Sequence, residues 1–587
     1  MAATFNELAK LKSAVEASRS KLREFCKIRA DAVRQFVGSH YGSNGTQERV
    51  PINFLELAVT IYNMSLAARC PRALVVPRVS SLKAEAATLG LALNHLAKEI
   101  RLGTALRRAV RDALFGMAVV EVGSAAGRTV EIDGEPVDVG QPFADNVSLD
   151  DFVADMSAKN WERVEFMGHT YRVPLVDLQD NEFDDQDVVR TLESLGMDRE
   201  DIPAGERASD TGTGRKEYSD ETEYRKHVDL LQLYLPYENL IVTVPAGGNW
   251  DKPLNMYEWQ GPERGPYHLL GFGEVPDNLM PLAPVDLWLD LHYLANRLFV
   301  KLGRQADRQK NIGGVAPEAA SDAEKIIQAT DGELINIKHP EGIKAIRLGG
   351  IDPQNLGFLL QIQDIFSYFG GNLDAIGGLG AMSETVGQDQ LLTASASKRI
   401  QYMQDTVYEF AGGIEEALAW YLMYNPLIEL PLIKQTASGR EIPVTYRAWE
   451  REGDYLDYNY EIVPYSMQYE SPRQRLNGLL TIFTQLFIPL APVMAQQGIG
   501  INYQALSRQV SELSNLPELN DLLIFSQPAP NPGEIGPVGQ PPRQSPVTRR
   551  ENVRINRSGA TLGGKRQILA QALFGGNPQQ AEREAVS

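Results

Sequence analysis

The segment Gly559-Ala-Thr-Leu-Gly-Gly564-Lys565 has the glycine spacing and the lysine of a phosphate-binding loop, in which backbone N–H groups cradle an anion. The next residue is Arg566, where Ser or Thr is needed to hold magnesium, and no buried parallel-strand run precedes it. Nucleotide hydrolysis is not expected there. Asp180-x-Glu182-x-Asp184 offers alternating carboxylates, but Asp185 replaces the glycine required at the sixth position of a calcium loop, and Thr191 replaces the bidentate Glu at the twelfth. A second glycine-rich run, Gly377-Gly378-Leu379-Gly380-Ala381-Met382-Ser383-Glu384, precedes a helical pattern, a place where anions bind. It contains no lysine, and its first charge is an acid. Neither H-E-x-x-H nor G-x-S-x-G occurs, and the seven histidines are scattered without ligand spacing. No catalytic residue, metal site or cofactor is expected, although dispersed carboxylates could converge in space into a magnesium-dependent nuclease site.

The remaining pattern with chemical content is cationic. Arg297, Lys301, Arg304 and Arg308 recur at helical spacing beside a stripe of Leu287, Leu291, Leu294, Leu298 and Leu302. At about 100° per residue the cations lie about a quarter turn from the leucines, so one helix over 286–310 has a packing face and a basic edge. Solvated cations near a helix C-terminus, where the dipole favours them, are the plain alternative.

Elements that position these residues can be read along the chain. Amphipathic helices are expected over 4–37, from Pro51 to Cys70, and over 82–102 and 104–115. A strand at 118–122, a hairpin around Asp133-Gly134, and strands at 230–235 and 240–244 follow. Between them, 175–224 holds sixteen acidic against five basic residues and reads as a solvated insertion. After the basic helix and Gly313-Gly314 come a helix near 316–329 and strands at 333–338 and 343–348. A returning helix then starts at Asp352-Pro353, as N-cap and first position, and stops at Gly370-Gly371, with Leu356, Leu359, Leu360, Phe366 and Phe369 on its apolar side. A long helix over 390–424 is expected to kink or break at Gly412-Gly413. Strands at 442–446 and 460–463, a helical region over 472–525 and a Pro-, Gly- and Arg-rich disordered tail complete the chain. The fold class expected is α+β, mostly helical.

Composition narrows the function classes. The 587 residues exceed one ordinary core. A net charge of −19 argues against a protein whose main task is to grip nucleic acid, though not against a surface along which it slides. Cys26 and Cys70 form no disulfide framework, which suggests a reducing cytosolic origin. The N-terminus lacks an apolar signal core, and the most apolar window, 479–495, is interrupted by Thr481, Thr484, Gln485, Pro489 and Pro492, so no membrane span is expected.

The order of parts in the middle of the chain resembles the portal proteins of tailed bacteriophages. Supporting phrases are CKIRADAVRQFVG, AVRDALFGMAVVEVG and SLDDFVADMSAKNWERVEFMGHTYRVP, and the likeness spans residues 5–525. It rests on architecture more than on a sharp signature; the acidic insertion and the long tail depart from the pattern. The resemblance implies a wing over 1–285, a stem helix over 286–310, a clip over 311–351 and a returning stem helix over 352–373. A tunnel loop over 374–388, a long kinked helix and wing return over 389–470, a helical crown over 471–525 and a basic tail over 526–587 would follow.

By the same resemblance, Gly377, Gly378 and Gly380 would let the loop yield, with Met382, Ser383 and Glu384 projecting toward a channel axis. Arg297, Lys301, Arg304 and Arg308 would be either a weak DNA-facing ladder or an inter-subunit salt-bridge set. The protein would form a ring of twelve subunits at one capsid vertex, with double-stranded DNA passing through for packaging and ejection. Partners would be the terminase large subunit, which hydrolyses ATP, major capsid and scaffold proteins, and head completion, adaptor or tail proteins. Its location would be the virion, and the host cytoplasm during assembly. The alternatives are a magnesium-dependent nuclease or other nucleic-acid enzyme, and a different virion assembly factor.

Overall fold

The computed structural model describes residues 5–38, 50–67, 69–125, 129–132, 135–138, 140–179, 185–194, 227–248, 250–373, 386–435, 441–463 and 466–467, with a few positions beyond. The first helix, α1 (Phe5–Val37), follows its apolar periodicity: Leu8, Val15, Leu22 and Ala32 are buried and enter three successive hydrophobic clusters. The second, α2 (Phe54–Ala67), begins later than Pro51 suggested. Asn53 Oδ1 accepts from the Glu56 backbone N–H at 3.1 Å, so the cap forms there and Pro51 lies outside the helix. A strand that periodicity does not reveal, β1 (Ala73–Pro77), leads to α3 (Lys83–Glu99) and α4 (Leu102–Leu114).

Strand β2 (Ala118–Ala125) opens the sheet region, followed by the expected hairpin of β3 (Thr129–Ile132) and β4 (Glu135–Asp138). Next come β5 (Gln141–Val147), β6 (Phe152–Ala154) and β7 (Met167–Pro174), then α5 (Leu175–Gln179) and α6 (Gln186–Ser194). The start of the acidic insertion is therefore folded: Leu175, Leu178, Val188 and Leu192 are buried against Leu230 and Leu254. Four apolar side chains outweigh the local negative charge because they share one face. Asp185 caps α6 through the Asp187 backbone N–H at 2.9 Å; Asp180, Glu182, Asp184 and residues 195–226 lie outside the described residues. After β8 (His227–Leu235), β9 (Leu240–Pro245), β10 (Asn255–Glu258) and β11 (Tyr267–Leu270), two open antiparallel sheets are complete. Their strand orders are β10-β9-β8-β7-β6 and β11-β2-β5.

The chain then enters α7 (Pro284–Asp307), β12 (Lys310–Val315), a short 3-10 turn, α8 (Ala320–Gln328), β13 (Ile343–Leu348) and α9 (Pro353–Phe369). Gly313 and Gly314 lie inside β12, paired with Ala345 and Lys344. Residues 333–338 form no strand. Asp322 Oδ2 accepts from the backbone N–H groups of Lys338 and His339, both at 2.8 Å, and so diverts donors that a ladder would need.

Helix α10 (Val386–Tyr424) is continuous through Gly412-Gly413, so of the kink or break expected there the break does not occur. A Cβ at Gly413 would sit 3.4 Å from His268 Nδ1, and one at Gly412 3.8 Å from the Tyr460 carbonyl, both ordinary contact distances. The described chain ends with β14 (Leu430–Gln435), β15 (Glu441–Tyr446) and β16 (Tyr458–Ile462), the last pairing antiparallel with β1. The largest core unites α2, α3, α4, α7 and α10 through Tyr62, Leu93, Leu106, Trp288, Val407 and Leu418. The result is a mixed fold of several helices and open sheets. The regions expected over 471–525 and 526–587 lie outside the described residues apart from isolated positions.

Candidate interaction site on the paired helices

Helices α7 and α9 lie antiparallel. Trp288, near the start of α7, meets Phe366, near the end of α9, at 6.3 Å between ring centroids; at the other end, Gln305 Oε1 accepts from the Asp352 backbone N–H at 3.3 Å. Asp352 caps α9 as its sequence implies, accepting from the Gln354 backbone N–H at 3.0 Å. Ala295, Leu302, Leu359 and Ile362 fill the seam between the two helices. The strands β12 and β13 extend from the far ends of the pair and close a small module there.

The buried face of α7 only partly coincides with the leucine stripe: Leu302 is buried and Leu291, Leu294 and Leu298 pack half-buried beside it. It runs through Val285, Trp288, His292, Ala295, Asn296 and Leu302, whereas Leu287 is 49 % exposed. Asn296 explains part of the shift, since it bonds both the N–H and the C=O of Ile52 at 3.0 Å and anchors the helix to the chain before α2. By helical geometry the leucines then flank the buried face, and Arg297, Lys301, Arg304 and Arg308 lie about half a turn from it. All four cations are exposed, and none forms an ion pair among the described residues.

Helix α9 buries Leu359, Ile362 and Phe366 but leaves Leu356, Phe358, Leu360, Ile365, Tyr368 and Phe369 exposed. Of the residues read as its apolar side, Leu356, Leu360 and Phe369 are thus exposed. The helix carries apolar residues nearly all round, as a helix covered on several sides does, yet among the described residues only one side is covered. That all-round pattern is the signal a closer reading of the sequence could have used. Single exposed leucines need no account, but a row of six on one helix marks a contact surface.

The C-terminal end of α9 is held from two sides. Tyr62 of α2 donates its hydroxyl proton to the Gly370 carbonyl at 2.8 Å, and the Arg399 guanidinium of α10 donates to the Phe369 carbonyl. Gln404 of α10 in turn bonds the Ser65 carbonyl at 3.0 Å. These anchors fix the point from which the glycine-rich segment departs. Gly377, Gly378, Gly380, Met382, Ser383 and Glu384 lie outside the described residues.

Elsewhere, titratable groups are buried singly or in pairs. Burial pushes Asp286 up to about 6 and His292 down to about 4, while Glu415, both oxygens unpaired, is pushed up to about 8. A cavity of about 320 Å³ between α1 and the sheet edges is lined by Lys12, Arg19 and Arg23 against Glu16, Asp150 and Asp151. Among the described residues no three His, Cys, Asp or Glu side chains converge to hold a metal ion, and no helix is long and apolar enough to cross a membrane. The chain matches no protein-family model and no curated protein.

Proposed function

We propose that this chain is the subunit of a portal ring of a tailed bacteriophage, the channel through which DNA enters and leaves the head. One observation carries the reading: α7 and α9 form an antiparallel pair sealed along a single seam, with an apolar α9 face and a cationic α7 face both open. A ring wall has this character, because each subunit needs one surface for its neighbours and another for the lumen. On this reading the pair is the stem, the module over 311–351 is the clip, and the sheets with α1 to α6 are the wing. The segment over 374–388 is the tunnel loop, sprung from the end of α9 that Tyr62 and Arg399 hold. The apolar α9 face packs on neighbouring copies, twelve in all by family resemblance, and the cations face the lumen. A net charge of −19 keeps the conduit from gripping phosphates along its length.

The ring would dock the terminase large subunit, engage capsid and scaffold proteins during assembly, and then hold the adaptor or tail proteins, with no active site of its own. Electron microscopy of the purified protein, with native mass on the same sample, tests this. A ring with an axial channel wide enough for duplex DNA is expected. A monomer or dimer at every salt concentration, with scaffold protein present, counts against it.

A further inference from the structure

The two sheets meet at a polar contact that the channel reading does not use. Glu121 on β2 places Oε2 3.6 Å from Nε2 of His169 on β7, and His169 Nδ1 lies 2.8 Å from the Tyr267 hydroxyl on β11. Gln232 of β8 donates to Glu121 Oε1 at 3.4 Å. The Glu121 and His169 side chains are only 16 % and 12 % exposed, so each holds its charge at a desolvation cost. Asp145 stands in register with Glu121 across β2 and β5, while Tyr257 of β10 and Tyr421 of α10 lie within range of the Glu121 charge. The Tyr171 ring lies 5.6 Å from that of His169. Among the described residues no lysine or arginine pairs with Glu121.

We propose that Glu121 and His169 are a proton-compensated joint: the folded protein keeps one proton on the pair, as the unfolded chain does, so the seam between the sheets keeps its strength from mildly acid to neutral medium. In the folded protein one proton is shared out over the buried pair, whose carboxyl and imidazole touch at 3.6 Å, while His169 Nδ1 hydrogen-bonds the Tyr267 hydroxyl at 2.8 Å. In the unfolded chain the carboxylate is ionised and the imidazolium carries the proton. Burial, with repulsion from Asp145 added, raises Glu121 from 4.5 to about 7; burial lowers His169 from 6.5 to about 4. Across the shared window, about pH 4.5 to 6.5, the proton counts match and the two linkage slopes cancel.

The cancellation is exposed by removing one member. In Glu121→Gln, His169 alone titrates: its unfolded form binds the extra proton, and stability should rise with pH relative to wild type. In His169→Asn, Glu121 alone titrates: its folded form binds the extra proton, and stability should fall as pH rises. Each relative slope approaches tenfold in the folding equilibrium per pH unit. Denaturant midpoints of wild type, both single variants and the double variant Glu121→Gln/His169→Asn, taken across this window, make the test. Measured against wild type, opposite slopes in the singles and no slope in the double support the joint. Singles that run parallel to wild type overturn it, and if one single does not fold the other still reads its own slope. The inference does not depend on the portal reading, since it concerns the subunit alone.

Discussion

Tyr62 and Gly370, 308 positions apart, are joined by a hydrogen bond of 2.8 Å from the phenol to the carbonyl. The same ring stacks on Trp288 at 5.3 Å and is fully buried. One side chain thus ties α2 to α7 and to the end of α9. Tyr62→Phe should keep the stack and lose about 1 kcal/mol of stability, and Tyr62→Ala about 3–5 kcal/mol, read as shifts in denaturant midpoint at unchanged slope.

The open face of α9 separates folding from assembly. Phe358→Asp with Leu360→Asp alters exposed positions, so subunit stability should change by roughly 0.5 kcal/mol or less per site. Ring formation, read by native mass, should be lost, since each neighbour would have to desolvate the new charges. Rings in normal yield would remove α9 from the interface.

Replacing Arg297, Lys301, Arg304 and Arg308 together by Gln distinguishes their two roles. If they face the lumen, rings form at every salt concentration and packaged DNA falls several-fold. If they pair across subunits, the ring fraction itself falls, most strongly at low salt where such pairs are strongest.

Gly377, Gly378 and Gly380 bear on the gate. Changing all three to Ala narrows the accessible backbone conformations. Ring yield should stay normal while DNA packaging or retention drops; unchanged packaging would remove the gating role.

Glu415 is 1 % exposed with both carboxyl oxygens unpaired, and burial pushes it up to about 8. The folded form holds a proton that the unfolded chain has released, so this group's effect is to lower stability as pH rises from about 4.5 to about 8. Glu415→Met should remove that slope and stabilise the subunit by on the order of 3 kcal/mol at neutral pH. Thermal midpoints that keep the same pH dependence in the variant would show that Glu415 has a partner when folded.

Local information was enough for much of the helical framework. The apolar spacing in α1, the Asp352-Pro353 start and Gly370 stop of α9, and the hairpin of β3 and β4 are set by residues within a few positions of each other, so they are legible in one dimension. The cations of α7 were legible for the same reason, as was their shared face. Strands β1, β5, β6, β7, β10, β11, β12 and β14 were not, because each is defined by a partner's register; β1 meets β16 with Ala73 opposite Ile462, 389 positions away.

Tertiary structure alone decided which side of each helix is covered. Leu287 and Leu360 have the same apolar character as Leu302 and Leu359, yet only the latter two meet the facing helix. Burial depends on what stands opposite, which no periodicity reports. The same holds for charge: Glu121 and His169 stand out in no way along the chain and become neighbours, 3.6 Å apart, only where β2 and β7 bring them together away from water.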